Sequence, residues 1–470
     1  MENSLTGDLL SIRTAALAAV DPAAAVRRFM RRAGDGLEIG PHTAHPEHKL
    51  MAGPSSASWI GRGDIEQALF HLDGRVLLIG MGKAAAKMAE AAAELLGSAL
   101  SAGVLVTKYG HAAGARLPGC LRVIEAGHPV PDENGLTGAG AIQELLRDSQ
   151  PGDLVLGLVS GGASALTPLP EPPISLADLQ HMTELLLRSG ATINELNTVR
   201  KHIDRLKGGG LARLAAPARL AALILSDVVG DPLDVIASGP TVPDDSTYQD
   251  AWQILERYGL LAGAPQAILT YLSAGCKGQR PETPKPGDPL FERTTNVLVG
   301  SNRQAAQAAL VEAARLGYAG LLLSSFMEGE AREIGKLAAA LGRSLVQHND
   351  PLAPPACLVL GGETTVTLAM DGKGGRNQEL ALSAAHGLAG LKGVALMALA
   401  SDGSDGPTDA AGAIVDGTTL EKIRCHGRDP ADDLRQHNAY LALQAAGSLM
   451  ITGPTGTNVN DLIVILAGAA

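Results

Sequence analysis

A chain of 470 residues with 46% hydrophobic and 19% charged residues has the composition of a globular enzyme, and at roughly 100–200 residues per domain it calls for more than one core. The net charge of −11 argues against a nucleic-acid binder, which normally shows a basic stripe, and an anionic substrate has to be held by local clusters of cations against the overall field. The 57 glycines and 3% aromatic residues point to many tight turns around an aliphatic, Ala-rich core.

Cys120, Cys276, Cys357 and Cys425 are too scattered for a CxxC metal or redox motif and are expected as free thiols. The first twenty residues lack the basic start and apolar core of a signal peptide, and nowhere do 18 apolar residues run together. A cytoplasmic protein with no membrane or nucleic-acid partner is expected, either a monomer or a homodimer.

In chain order, apolar residues at helical spacing over 9–32 predict an amphipathic helix bent near Pro22, covering one face of a sheet. Residues 36–63, rich in His, Pro, Gly and Ser, read as a long surface loop. Short apolar runs at 76–79, 104–107, 123–125, 154–160 and 221–226 alternate with helical stretches around 83–96 and 138–147, the signature of a parallel sheet covered on both faces. Ser175 with Asp178 and Thr192 with Glu195 read as capping boxes opening two further helices.

The segment PTVPDD (240–245) reads as a connection and places a domain boundary near 245, giving domains 1–245 and 246–470. The strand and helix rhythm resumes at 296–300, 304–316, 321–325, 332–346, 357–361, 366–369, 394–401 and 462–466. The fold class is α/β with two domains, the first a Rossmann-like three-layer α/β/α arrangement on a mainly parallel sheet.

Several turns carry candidate chemistry. Gly80 and Gly82 follow a strand and precede a helix, where amides and the helix dipole receive phosphate, and the text fits G-x-G-x-x-A. Lys83 inside that turn, and Lys108 where NAD binding wants an acid after the second strand, count against a dinucleotide site, although Lys108 tolerates a 2′-phosphate. Ser160-Gly161-Gly162-Ala163-Ser164 offers consecutive amides and two hydroxyls at a strand's carboxyl end. No G-x-x-x-x-G-K-[ST] occurs.

Asn197, Arg200 and Lys207 lie in a cation-rich run, with Arg200 and Lys207 seven apart and so on one face if the helix continues; a solvated charged helix is the default for such a run. Asp227 and Asp231 after one strand, and Asp402 and Asp405 after another, are hard oxygen ligands suited to Mg2+, or one of them to a general base, while turn chemistry explains any single one. Glu363 sits at a strand end. Arg376 and Asn377 open a helix behind Gly374 and Gly375, expected as a hairpin and a phosphate or carboxylate clamp.

In this order, GMGKAA, EAGHPVPDENG, SGGASAL, NTVRKHIDRLKGGGLA, SDVVGDPLDVIASGPT, GGETTV, GGRNQELAL, SDGSDGPTDAAGA and TGPTGTNVNDL resemble the class II glycerate 2-kinases with a C-terminal MOFRL domain, over nearly the whole chain. The resemblance implies a C-terminal α/β MOFRL domain with a mixed sheet, and transfer of the ATP γ-phosphoryl group to the 2-hydroxyl of D-glycerate with Mg2+, in a cleft between the domains. It implies Lys83 and Arg376 as catalytic cations. Some family members are described as hydroxypyruvate reductases, so an NAD(P)H-dependent reductase, with His128 as its acid-base group, and a non-catalytic sugar-acid binder remain as alternatives.

Overall fold

The computed structural model describes residues 2–40, 68–368 and 370–469. The expected loop falls mostly on 41–67, outside the described residues. Its first residues are a strand, because Gly34 and Asp35 make a two-residue turn that folds Met30–Ala33 (β1) against Gly36–Ile39 (β2), joined by Ala68–His71 (β3) in an antiparallel sheet. Gly34 has φ +59°, the left-handed conformation such turns use.

The chain divides into two compact units. One comprises Pro22–Ser226 and Asp231–Val299, the other Met1–Asp21, Asp227–Gly230 and Gly300–Ala470. The boundary therefore lies at residue 300, not near 245. Proline content misled at 240–245: Thr241 and Asp244 are buried, and Asp244 binds Lys201 at 3.3 Å and accepts from Ser246 and Thr283. Beyond it Tyr248, Ile254, Leu255, Ile268 and Leu272 pack with Met182, Leu186, Leu196 and Val199 in one apolar cluster of the first unit.

The N-terminal helix is corrected as well. Glu2–Ala19 (α1) stops before Pro22, which opens Pro22–Phe29 (α2). Leu5, Leu9, Ile12, Ala16 and Val20 are buried on one stripe, but the sheet α1 covers belongs to the second unit. Tyr318 donates to Asp8 at 2.6 Å, and Thr457 donates to the Val20 carbonyl at 2.7 Å.

In the first unit the strands are β4 (Val76–Met81), β5 (Leu100–Lys108), β6 (Leu121–Ala126), β7 (Leu154–Val159), β8 (Arg219–Leu225) and β9 (Thr294–Gly300). Their order is β6-β5-β4-β7-β8-β9, with β4 to β8 paired in parallel. This is the doubly wound order of dinucleotide-binding folds, whose winding reverses between β4 and β7. Those two strands are buried at every position, as continuous apolar runs in a covered parallel sheet must be. Helix α3 (Ala85–Leu96) follows β4 and α4 (Glu133–Leu146) follows β6. The short α5 (Ala163–Leu166) follows β7, and α6 (Leu176–Arg188) and α7 (Ile193–Lys201) open with the two expected capping boxes.

The second unit holds β10 (Ala319–Glu330), β11 (Ala356–Thr365), β12 (Val394–Ala400), β13 (Gly412–Asp416), β14 (Leu449–Met450) and β15 (Asp461–Ala467). Their order is β10-β11-β15-β12-β13-β14 in a mixed sheet, parallel only between β10 and β11. The last strand thus enters the middle of this sheet and places Asp461 opposite both Gly362 and Ala400. Residues 366–368, expected as a hairpin strand, form none; the Thr367 amide donates to Glu330 instead of to a ladder.

Leu9 is fully buried, so Leu9→Ala should destabilise the second unit by about 2–4 kcal/mol in urea unfolding. A change below about 1 kcal/mol would contradict the docking of α1.

Candidate active site

Where the winding reverses, the turns after β4 and β7 lie side by side. A Cβ on Gly82, at φ +118°, would fall 2.3 Å from the Ser160 carbonyl oxygen, and one on Gly80 would fall 2.5 Å from Leu105 Cδ2. Gly82 is therefore demanded by the backbone opposite it, while Gly80 lets the Leu105 side chain pack close. The amides behind them are claimed by the protein: Lys83 N–H donates to Gly161 O at 2.9 Å, Ala84 N–H to Ser160 Oγ at 3.0 Å and Ala85 N–H to Gly82 O at 3.2 Å. The expectation that this turn cradles phosphate through its own backbone is thus corrected; what it presents is the Lys83 side chain.

The β7 turn is the one with amides to offer. Gly161 and Gly162 N–H have no acceptor among the described residues. A Cβ on Gly162, at φ +84°, would fall 2.9 Å from His128 Cδ2, 3.1 Å from His128 Nε2 and 3.3 Å from Lys83 Cε. Lys83, His128 and the two amides consequently meet at one point, brought there by the β4–α3 turn, the β6–α4 loop and the β7–α5 turn. Among the described residues, the ammonium groups of Lys83 and Lys108 have no hydrogen-bond or ion-pair partner. His111 Nδ1–H donates to the Lys83 carbonyl at 3.0 Å. Burial, and then the charges of Lys83, Lys108 and His111, push the His128 imidazole down to about 4, so it is neutral at pH 7. In an acidic chain, this cluster of unpaired cations and vacant amides has the chemistry to receive an anion.

Beside it, Ser164 Oγ lies 2.6 Å from Ser238 Oγ, which donates to Asn197 Oδ1 at 2.9 Å. Ser238 and its neighbour Ala237 have φ of +60° and +53°, a strained pair of non-glycine residues that is worth about 1–3 kcal/mol each. Arg200 has no hydrogen-bond partner for its guanidinium among the described residues; burial lowers it to about 10 against the pull of Asp204, leaving it charged at neutral pH.

Lys207 does not join Arg200 on a helix face. Helix α7 ends at Lys201, and Lys207 Nζ is buried, donating to Asp204 Oδ2 at 2.6 Å and to Thr167 O at 3.5 Å. Asp204 in turn accepts from the amides of Leu169 and Leu206, which ends the helix and ties the pair into the core.

In the second unit, Arg376 is the first residue of α8 (Arg376–Leu388). Its Nε and Nη2 donate to Asp461 Oδ2 and Oδ1 at 2.6 and 2.9 Å, and Nη1 lies 3.1 Å from Glu363 Oε1. Burial works against its charge, but Asp461, then Glu363 and Asp405, raise the guanidinium above its ordinary range. The helix N-terminus is capped by Asp405, which accepts from the amides of Asn377 and Gln378 at 3.1 and 2.8 Å. Asn377 is fully buried under that carboxylate. The clamp is thus the Arg376 side chain, not the helix end.

The four aspartates have separate settings. Asp405 is a cap, Asp402 accepts from Ser404 N–H in its own turn, and Asp231, with φ +56°, is pushed up to about 6 by burial while hydrogen-bonded to Ser226. Asp227 belongs to the short segment Asp227–Gly230 that is grouped with the second unit. Among the described residues no three His, Cys, Asp or Glu side chains are placed to hold a metal ion.

The sequence reading named His128 only as the acid-base group of the alternative reductase and singled out neither Ser238 nor Asp461. The Gly-Pro following Ser238, and a carboxylate heading a wholly apolar last strand, were the available signals for the last two.

A doubly wound sheet with unpaired cations and vacant amides at its reversal point, joined to a mixed α/β unit built around a clamped arginine, defines a two-part enzyme for anionic small molecules. Residues 8–273 match a domain of unknown function, DUF4147, and residues 356–461 match the MOFRL family. The chain belongs to this DUF4147 and MOFRL family, which includes the glycerate 2-kinases. It is 45% identical over 398 residues to glycerate 2-kinase of Pyrococcus horikoshii, covering 84% of this chain and 88% of that one. A putative hydroxypyruvate reductase of Agrobacterium vitis is 44% identical over 84% of this chain and 88% of its own. The crystal structure of glycerate kinase from Thermotoga maritima superimposes with TM-score 0.84 at 40% identity, covering 99% of this chain and 100% of that one.

The low value of His128 sets a sign for pH dependence. Its folded value, about 4, lies below the ordinary 6.5, so its contribution is complete above 6.5 and is lost as pH falls toward 4. Urea midpoints should fall more steeply over that window in the wild type than in His128→Gln; equal slopes would contradict the buried cationic setting.

Proposed function

We propose that the chain is an ATP-dependent glycerate 2-kinase, passing the γ-phosphoryl group of ATP to the 2-hydroxyl of D-glycerate to give 2-phosphoglycerate and ADP. The observation that carries this is the unpaired Lys83 facing the vacant amides of Gly161 and Gly162 at the sheet's reversal point.

Phosphoryl transfer needs positioning and neutralisation of charge spread over the transferring oxygens, and a fixed cation supplies the latter best when it needs no reorganisation. Lys83 and Arg376 are assigned that charge. The amides of Gly161 and Gly162 with Ser160 and Ser164 are assigned phosphate oxygens, and Arg200 with Asn197 the glycerate carboxylate, for which a guanidinium fork is suited. Glu363 holds Arg376 until substrate arrives. Mg2+ enters as part of MgATP: it keeps phosphate oxygens and waters as ligands and needs only one or two carboxylates, which suits Asp231 or Asp227 better than the capping Asp405.

A cytoplasmic location fits this substrate pair, and no single helix among the described residues is long and apolar enough to cross a membrane. Against the reductase, the space a pyrophosphate would take beside the second glycine of the turn is filled by Ser160, and β5 ends in Lys108 where a ribose-binding acid is wanted.

Purified protein with D-glycerate and MgATP should form ADP, whereas NADH and NADPH should survive incubation with hydroxypyruvate; the reverse pattern would sink the kinase. Lys83→Ala and Arg376→Ala should each lower kcat at least ~100-fold with the fold intact, and wild-type turnover in either would contradict the roles given.

A further inference from the structure

His128 is a half-buried imidazole whose ring nitrogens have no hydrogen-bond partner among the described residues. By contrast Nδ1 of the nearby His111 is bonded to the Lys83 carbonyl at 3.0 Å, whereas His128 keeps both nitrogens open to the site. Its Cδ2–Nε2 edge instead lies against Gly162, on the same Cα that the Lys83 stem approaches. It is thus beside both the cation and the amides assigned to phosphate.

The groups facing it are Lys83 from the β4–α3 turn and Lys108 and His111 from the end of β5 and the loop beyond. In its own loop, Asp132 accepts from Gly127 N–H and Gly135 N–H. The carboxylates are engaged elsewhere: Asp405 caps a helix, Asp204 holds Lys207, and Asp244 holds Lys201.

We propose that His128 is the general base of the reaction: Nε2 takes the proton of the substrate hydroxyl as that oxygen attacks the γ-phosphorus. This rests on the kinase assignment. The O–P bond forms while the bond from the β,γ-bridging oxygen to the γ-phosphorus breaks, its electron pair leaving on ADP; the proton on His128 then passes to solvent. In the free protein burial, and then the surrounding cations, keep the imidazole neutral and able to accept. Phosphate oxygens arriving on Lys83 and Lys108 offset those cations, so the imidazole becomes more basic when substrates are bound.

The test combines kinetics with a titration of the wild type. His128→Gln and His128→Asn should lower kcat ~100-fold or more, leave KM for MgATP and glycerate within about threefold, and lose the acid limb of the kcat profile. In the wild type, the His128 ring resonance should titrate at a higher pH when MgADP and D-glycerate saturate the protein than when it is free. Unchanged kcat and pH profile in both variants, with Lys83→Ala inactive, would overturn the base and leave the kinase standing. An unshifted His128 titration in the complex would overturn it even if the variants fail to fold. So would an acid limb that disappears only in Asp231→Asn. No ADP formation by the wild type would overturn both assignments together.

Discussion

The contact between Gly82 and Ser160 fixes the chemistry of the first unit. Two parallel strands that wind in opposite directions leave their carboxyl ends adjacent, and only a residue without a side chain lets the two turns touch there. Once they touch, three successive amides of the β4 turn are bonded within the protein, and the turn becomes rigid. The first amide of the helix that follows, at Ala85, is likewise taken, by the Gly82 carbonyl. What projects is Lys83, with the unclaimed amides of Gly161 and Gly162 opposite it. The groups left open there are a side chain of one turn and the backbone of the next.

The second unit solves a similar problem with an ion pair. Arg376 stands at a helix start whose amides Asp405 occupies, and Asp461 holds two of its nitrogens. Removing Arg376 would leave the buried Asp461 uncompensated, and the central position of the last strand holds that carboxylate in place. Glu363, half-buried and on the remaining nitrogen, is the partner an incoming anion can displace.

Much of this was legible in the sequence. Buried strands read as apolar runs because a covered parallel sheet leaves no polar face, and Ser175 and Thr192 marked helix starts through their own side chains. Lys83 and Arg376 entered as catalytic cations through the resemblance, and the 160–164 turn through its Gly and Ser residues at a strand end; the structure sets Lys83 against Gly162 and Arg376 on Asp461. The misses have physical causes too. Proline density at 240–245 looks like a linker in one dimension but is a buried, hydrogen-bonded segment in three. The stripe on α1 states that a face is buried without stating against which sheet. Lys207 was grouped with Arg200 by helical spacing, while Asp204 bonds the backbone and stops the helix between them. Asp461 was passed over because its partner is 85 residues away in sequence.

Phosphoryl transfer to the 2-hydroxyl is tested most directly by proton-coupled phosphorus NMR of the product formed from D-glycerate and MgATP. A phosphate on the 2-position is coupled to one carbon-bound proton and gives a doublet, growing in step with ADP. A triplet, from the two protons of the 3-position, or no new resonance beyond those of ATP hydrolysis, would contradict the account.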